Sequence, residues 1–135
     1  MDHNCYQLKK LVRDRSVKNM EDKGTKVIWR TLSAAERTPH LLEKFMEEQQ
    51  EVAAAFAAND KAEMTAELAD LLEIIHALAN TANIDMTDVE AARKGKTERR
   101  GGFSKGIYVD EIHCPKGSFY DNYCAKDPAK YRLKV

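Results

Sequence analysis

The sequence predicts a mainly α-helical domain: an antiparallel helical bundle built on a helix hairpin, with a small two-stranded sheet at one end. Two long segments with apolar residues at helical spacing, broken only at Asn59-Asp60, predict the hairpin. Two shorter segments predict the sheet. Thr25–Leu32 is β-branched and aromatic, and Lys105–Ile112 alternates, so the two can pair.

The elements follow in order. Leu8, Leu11 and Val12 are interleaved with Lys9, Lys10, Arg13 and Arg15, so the segment to about Met20 reads as a short basic helix or an extended arm. Gly24 marks a turn before the first strand. Ser33, with Glu36 three residues on, is a capping-box signature. Pro39 suits the first turn of a helix, and the first long helix is expected from Pro39 to Ala58. Asp60 is the expected N-cap of a second helix running to about Ala79. So short a connection makes the two helices antiparallel neighbours. Asn80–Ile84 reads as a loop, Asp85 or Thr87 as the cap of a third helix through about Arg99, and Gly101-Gly102 as its end. From Pro115 the chain is rich in Gly, Pro, Asn, Asp and Tyr. It is expected to pack on the body or on a partner subunit without regular structure.

With 135 residues the chain suits one domain, and at 43% hydrophobic it can build a core. Lys plus Arg and Asp plus Glu are 22 each, so net charge argues neither for nucleic acid nor for a membrane surface. Acids concentrate over 43–73, and bases over 9–15, 93–100 and the C-terminus. Three cysteines (Cys5, Cys114, Cys124) without CxxC spacing favour reduced thiols. No stretch has the character of a signal peptide or a membrane span, so a cytoplasmic protein is expected.

The chemistry concentrates in two acidic pairs, Glu48 with Glu51 and Glu67 with Asp70, each spaced i, i+3 on one helix face. Those faces also carry Leu41, Phe45, Val52 and Ala55, then Met64, Leu71, Ile74 and Leu78. Carboxylates turned toward a bundle interior repel one another and lose hydration unless a cation or protons compensate. Helical bundles build carboxylate metal sites in this way, and hard oxygen ligands favour Mg²⁺, Mn²⁺ or Ca²⁺. The plain alternative is a solvated face with i, i+4 partners such as Lys44 to Glu48. Glu63 lies nearer the inward face than Glu47 or Glu73 and is a further candidate.

Two basic groups flank these acids. Lys10, Arg13 and Arg15 have the chemistry of phosphate ligands, or they solvate the arm or bridge to the acidic helices. Lys96, Arg99 and Arg100, with Gly101, Gly102 and Phe103, form either a phosphate clamp with a base-stacking ring or a cationic helix end with its C-cap. Trp29 and Tyr108 join Phe103 as candidates for an aromatic wall, with core packing of the sheet the competing role. His113, Cys114 and Cys124 lack the spacing of a zinc site.

Four stretches together resemble a known family. Lys10-Leu11-Val12-Arg13-Asp14-Arg15 is similar to its opening motif, and Leu42 through Glu51 to its first acidic helix. Glu67-Leu68-Ala69-Asp70-Leu71-Leu72-Glu73-Ile74-Ile75 is similar to its second, and Arg99-Arg100-Gly101-Gly102-Phe103 to its closing motif. The family is the MazG-like, all-α nucleoside triphosphate pyrophosphatase superfamily, in particular its small house-cleaning branch. The resemblance covers about residues 6–112. It implies Mg²⁺-dependent cleavage of a nucleoside triphosphate to the monophosphate and pyrophosphate, Mn²⁺ being a possible substitute. It implies Glu48, Glu51, Glu67 and Asp70 as metal-binding and catalytic residues, and Lys10, Arg13, Arg15, Lys96, Arg99, Arg100 and Phe103 as substrate-binding residues. It also implies a homodimer or larger homo-oligomer, with no nucleic-acid or membrane partner. Domain organisation is expected as a pyrophosphatase-like domain over 1–112 and an extension over 113–135. The chain departs from the family where Arg15-Ser16-Val17 follows the opening aspartate, and in the extension itself. The competing function is a non-catalytic helical interaction module, which would have no reason to keep the acid quartet.

Overall fold

Ser33 starts the main element of the fold. Its Oγ accepts from the Glu36 N–H at 3.2 Å, and the Glu36 carboxylate accepts from the Ser33 N–H at 3.3 Å. This capping box satisfies two of the donors that a helix start leaves unpaired. The computed structural model describes residues 2–134. Among them are the helices α1 (Ser16–Asp22), α2 (Ala34–Ala57), α3 (Lys61–Thr81), α4 (Met86–Arg100) and α5 (Phe119–Ala125).

The capping box sets α2 beginning at Ala34 rather than at Pro39, so Pro39 lies inside the helix. Pro39 has no N–H for the Ala35 carbonyl, and one rung of the ladder is missing. Arg30 Nη1 on the Glu36 carboxylate at 3.2 Å reinforces the turn that precedes it.

The ends of α1, α2 and α3 share one device. Gly24 (φ +85°), Asn59 (φ +52°) and Asn83 (φ +57°) each take the left-handed conformation just past the helix. The N–H of the following residue then returns to a carbonyl in the last turn: Thr25 to Met20, Asp60 to Ala55, Ile84 to Ala79. Such Schellman turns close the helix and redirect the chain within a few residues. At the hairpin, Asp60 also caps α3, its carboxylate accepting from the N–H groups of Ala62 and Glu63, both at 3.1 Å. The three residues 58–60 therefore end one helix and begin the next, which makes α2 and α3 the antiparallel pair expected.

The sheet expected from Thr25–Leu32 and Lys105–Ile112 is overturned: among the described residues there is no strand. Ile28 and Trp29 are 87% and 63% exposed in the first segment, and Ile107 and Tyr108 are 79% and 85% exposed in the second. Alternation supplies a strand pattern. A lone pair of strands is marginal in water without a face to pack on, and neither segment has one.

The chain divides into two compact units, one ending at Lys96 and the other beginning at Thr97. In the first, α2 and α3 pack along their lengths around Leu41, Ala55, Ile74 and Ala79. The core is thin, and Leu42, Met46 and Phe56 of α2 and Leu68 and Leu72 of α3 stay about half exposed. In the second, α5 carries Phe119, Tyr120 and Tyr123, with ring centroids 5.1 to 6.3 Å apart. Tyr131 adds its ring to Tyr123 at 5.6 Å. Helix α5 corrects the expectation that nothing beyond Pro115 is regular. Glu111 in the same unit receives both Lys134, at 3.1 Å, and His113. The three cysteines are free thiols.

Candidate metal centre

The two long helices turn three acids toward one another. Glu48 comes from the middle of α2, Glu67 and Asp70 from successive turns of α3, and one carboxylate oxygen from each lies within 4.8 Å of the others. Glu48 is the buried charged residue of the hairpin, 8% exposed, while Glu67 and Asp70 are half-buried. The positions follow from helical phase: Glu48 shares its face with Leu41 and Ala55, and Glu67 and Asp70 share theirs with Ile74. Glu51 is exposed and outside that trio. It remains close enough for its charge to act on Glu67.

The electrostatics show what this convergence costs. The Glu67 carboxyl is held above the ordinary carboxylate range, first by desolvation, then by its hydrogen bond with Glu48, then by the charges of Glu51, Glu48 and Asp70. Carboxylates this close favour sharing a proton or a cation. The compensation present is incomplete. Lys44 Nζ is 4.0 Å from Glu48, and Arg13 Nη2 donates to Asp70 Oδ1 at 2.6 Å. Lys10 Nζ reaches Glu47 at 3.4 Å, outside the trio. An all-oxygen set of this size fits a hard divalent cation of the Mg²⁺ or Mn²⁺ kind.

The basic candidates fall in several places. Lys10 and Arg13 lie in the irregular arm before α1 and touch α2 and α3 respectively, which is the bridging alternative of the sequence reading. Arg15 stands at the N-cap of α1 with an exposed side chain. Lys96 is exposed in α4, at the end of the first unit. Arg99, Arg100 and Phe103 belong to the other unit, where all three are exposed, Phe103 fully. Glu63 lines a shallow depression of about 210 Å³ with Glu51, Glu67, Asp60 and three alanines near the hairpin turn. Lys44 is the member sequence reasoning underrated. Its i, i+4 spacing to Glu48 signalled a solvated pair, whereas its side chain is 16% exposed beside the trio.

The profile of the family "Phosphoribosyl-ATP pyrophosphohydrolase" matches residues 15–95, a stretch that contains α1, α2, α3 and all four acids. The chain belongs to that family. Membership places it in the MazG-like, all-α pyrophosphohydrolase superfamily, whose reaction is hydrolysis of a phosphoric anhydride. No curated protein and no solved structure gives a significant match to the chain. The matched stretch ends before Lys96, so the cationic end of α4 and the aromatic unit lie beyond it. Among the described residues no helix is long and apolar enough to cross a membrane.

Proposed function

We propose that this chain hydrolyses a nucleoside triphosphate to the monophosphate and pyrophosphate, in the manner of the house-cleaning branch, with a divalent cation held by Glu48, Glu67 and Asp70. The observation that carries this reading is the convergence of three carboxylate oxygens within 4.8 Å on a pyrophosphohydrolase hairpin. Bound Mg²⁺, or Mn²⁺ in its place, supplies charge neutralisation for a polyphosphate and acidity for a bound water. The remaining roles fall to side chains. Arg13 and Arg15 offer bidentate forks for phosphate oxygens, and Lys10, Lys96, Arg99 and Arg100 offer further positive charge. Phe103 offers a ring face for a base. Glu51, exposed beside the trio, takes the fourth acidic position, from which it can accept a proton from water.

The assembly proposed is a homodimer or larger homo-oligomer, without nucleic-acid or membrane partners. Its support is the unfinished core of the hairpin. Leu42, Met46 and Phe56 on α2 are 51 to 58% exposed, and Leu68 and Leu72 on α3 are 47% and 53% exposed. Two helices alone leave such residues wet, and four close a bundle.

The test is product analysis with Mg²⁺ over a panel of ribo- and deoxyribonucleoside triphosphates, modified nucleotides and phosphoribosyl-ATP. Pyrophosphate with monophosphate is expected, and Asp70→Asn is expected to slow its release by about 100-fold or more. Orthophosphate without pyrophosphate would rule out the reaction. Turnover confined to phosphoribosyl-ATP would move the chain out of the house-cleaning role. No release from any member would favour the interaction module.

A further inference from the structure

The arm before α1 places one cation on each long helix, and only one of these meets the carboxylate trio. Lys10 pairs with Glu47 on α2, whose carboxylate stands outside it. Arg13 pairs with Asp70 on α3, whose carboxylate is a member. The trio is thus partly neutralised from two sides by unlike devices. Lys44 approaches Glu48 from within α2, one helical turn away, so its position is set by the helix itself. Arg13 comes from a stretch without regular structure, 57 residues away in sequence. Its backbone carbonyl accepts from the Ser16 N–H at 2.9 Å as α1 begins. The guanidinium sits at the end of a long side chain and is 60% exposed, so its contact with Asp70 depends on side-chain torsions.

The Arg13–Asp70 pair is also wet, with side chains 60% and 40% exposed, a setting in which ion pairs hold weakly. A divalent ion entering among Glu48, Glu67 and Asp70 brings two positive charges to the oxygens that Arg13 faces with one. The two cations compete for the same carboxylate and repel each other at short range.

We propose that Arg13 is a displaceable counter-ion, held on Asp70 until a divalent cation takes that carboxylate and released by the ion toward the triphosphate. The inference rests on the metal-site reading above and adds an order of events. The ion enters first and frees the guanidinium. Anionic phosphates then find Arg13 unpaired, while Lys10 stays on Glu47. By reciprocity of linkage, the ion binds more weakly while Arg13 occupies Asp70. Arg13 is in this sense a competitor of the cation at Asp70 and a binding residue for the substrate.

The experiment is Mn²⁺ titration by electron paramagnetic resonance on the full chain without nucleotide, comparing wild type with Arg13→Gln, Lys10→Gln and Glu67→Gln. Arg13→Gln is expected to bind Mn²⁺ at least about fivefold tighter than wild type. Lys10→Gln removes an equal charge nearby and is expected to change affinity less than about twofold, since Glu47 is outside the trio. A second readout uses the wild-type chain alone. The Arg13 Nε–H resonance is expected to shift and to exchange faster with water as Mg²⁺ saturates the site, reporting a freed guanidinium. Equal Mn²⁺ affinity in wild type and Arg13→Gln, equal gains in Arg13→Gln and Lys10→Gln, or an Arg13 resonance indifferent to Mg²⁺ would each overturn the proposal. If Glu67→Gln binds Mn²⁺ as well as wild type does, the metal-site reading itself fails. Loss of binding in Glu67→Gln without a gain in Arg13→Gln removes the displacement alone.

Discussion

Glu67 concentrates the electrostatic strain of the site, because burial, a hydrogen-bonded neighbour and three negative charges all act against its ionised form. The consequence for stability has a definite sign. Its folded carboxyl binds a proton more readily than the unfolded one, whose value is near 4.5. Above that pH the folded chain carries an unfavourable charge, so this residue's effect on stability worsens as pH rises toward its raised folded value. Glu67→Gln is therefore expected to melt higher than wild type at pH 7 without metal, the advantage fading as pH falls to about 4.5. The same variant should lose the melting increment that Mg²⁺ gives wild type. Thermal melts across pH, with and without Mg²⁺, check both. The sequence put all four acids on one inward face; Glu48, Glu67 and Asp70 converge there, whereas Glu51, one turn on from Glu48, is exposed and outside the trio. Arg13 on Asp70 was not legible, since a long side chain choosing a partner 57 residues away leaves no local pattern.

At the scale of elements, the hairpin depends on Asp60 and on its left-handed neighbour Asn59. Asp60→Ala leaves the Ala62 and Glu63 N–H groups unpaired and should cost about 1 kcal/mol in urea unfolding. Pro39 is the opposite case, an internal proline that α2 tolerates. Pro39→Ala restores the donor to the Ala35 carbonyl and should stabilise the chain by about 1–2 kcal/mol in the same assay. The Asp60 cap was readable because side chain and backbone signal together there. Pro39 misled because the stronger signal, the Ser33–Glu36 box, lay upstream and set the start. The strands misled for a different reason. The pattern of Thr25–Leu32 is local, whereas pairing needs a distant partner and a surface beneath it. Short α5 carried no periodic apolar stripe, and its aromatic contacts include Tyr131, well outside the helix.

For the molecule as a whole, assembly is the issue the open hairpin raises. Sedimentation at micromolar concentration should give a dimer or larger species. Leu68→Glu with Leu72→Glu should shift it toward monomer, since both leucines are half exposed yet apolar. A wild-type monomer of full melting cooperativity would contradict the assembly while leaving the site intact. The superfamily was legible from four motifs read together, of which the family match spans the two acidic helices. The role of the second unit was not, as the family match stops at residue 95. The proposed chemistry needs Glu48, Glu67 and Asp70 to share one cation. Anomalous diffraction from crystals soaked in Mn²⁺ tests it most directly. The account predicts a peak within coordination distance of all three carboxylates. Full Mn²⁺ occupancy elsewhere, with those oxygens bare, would contradict it.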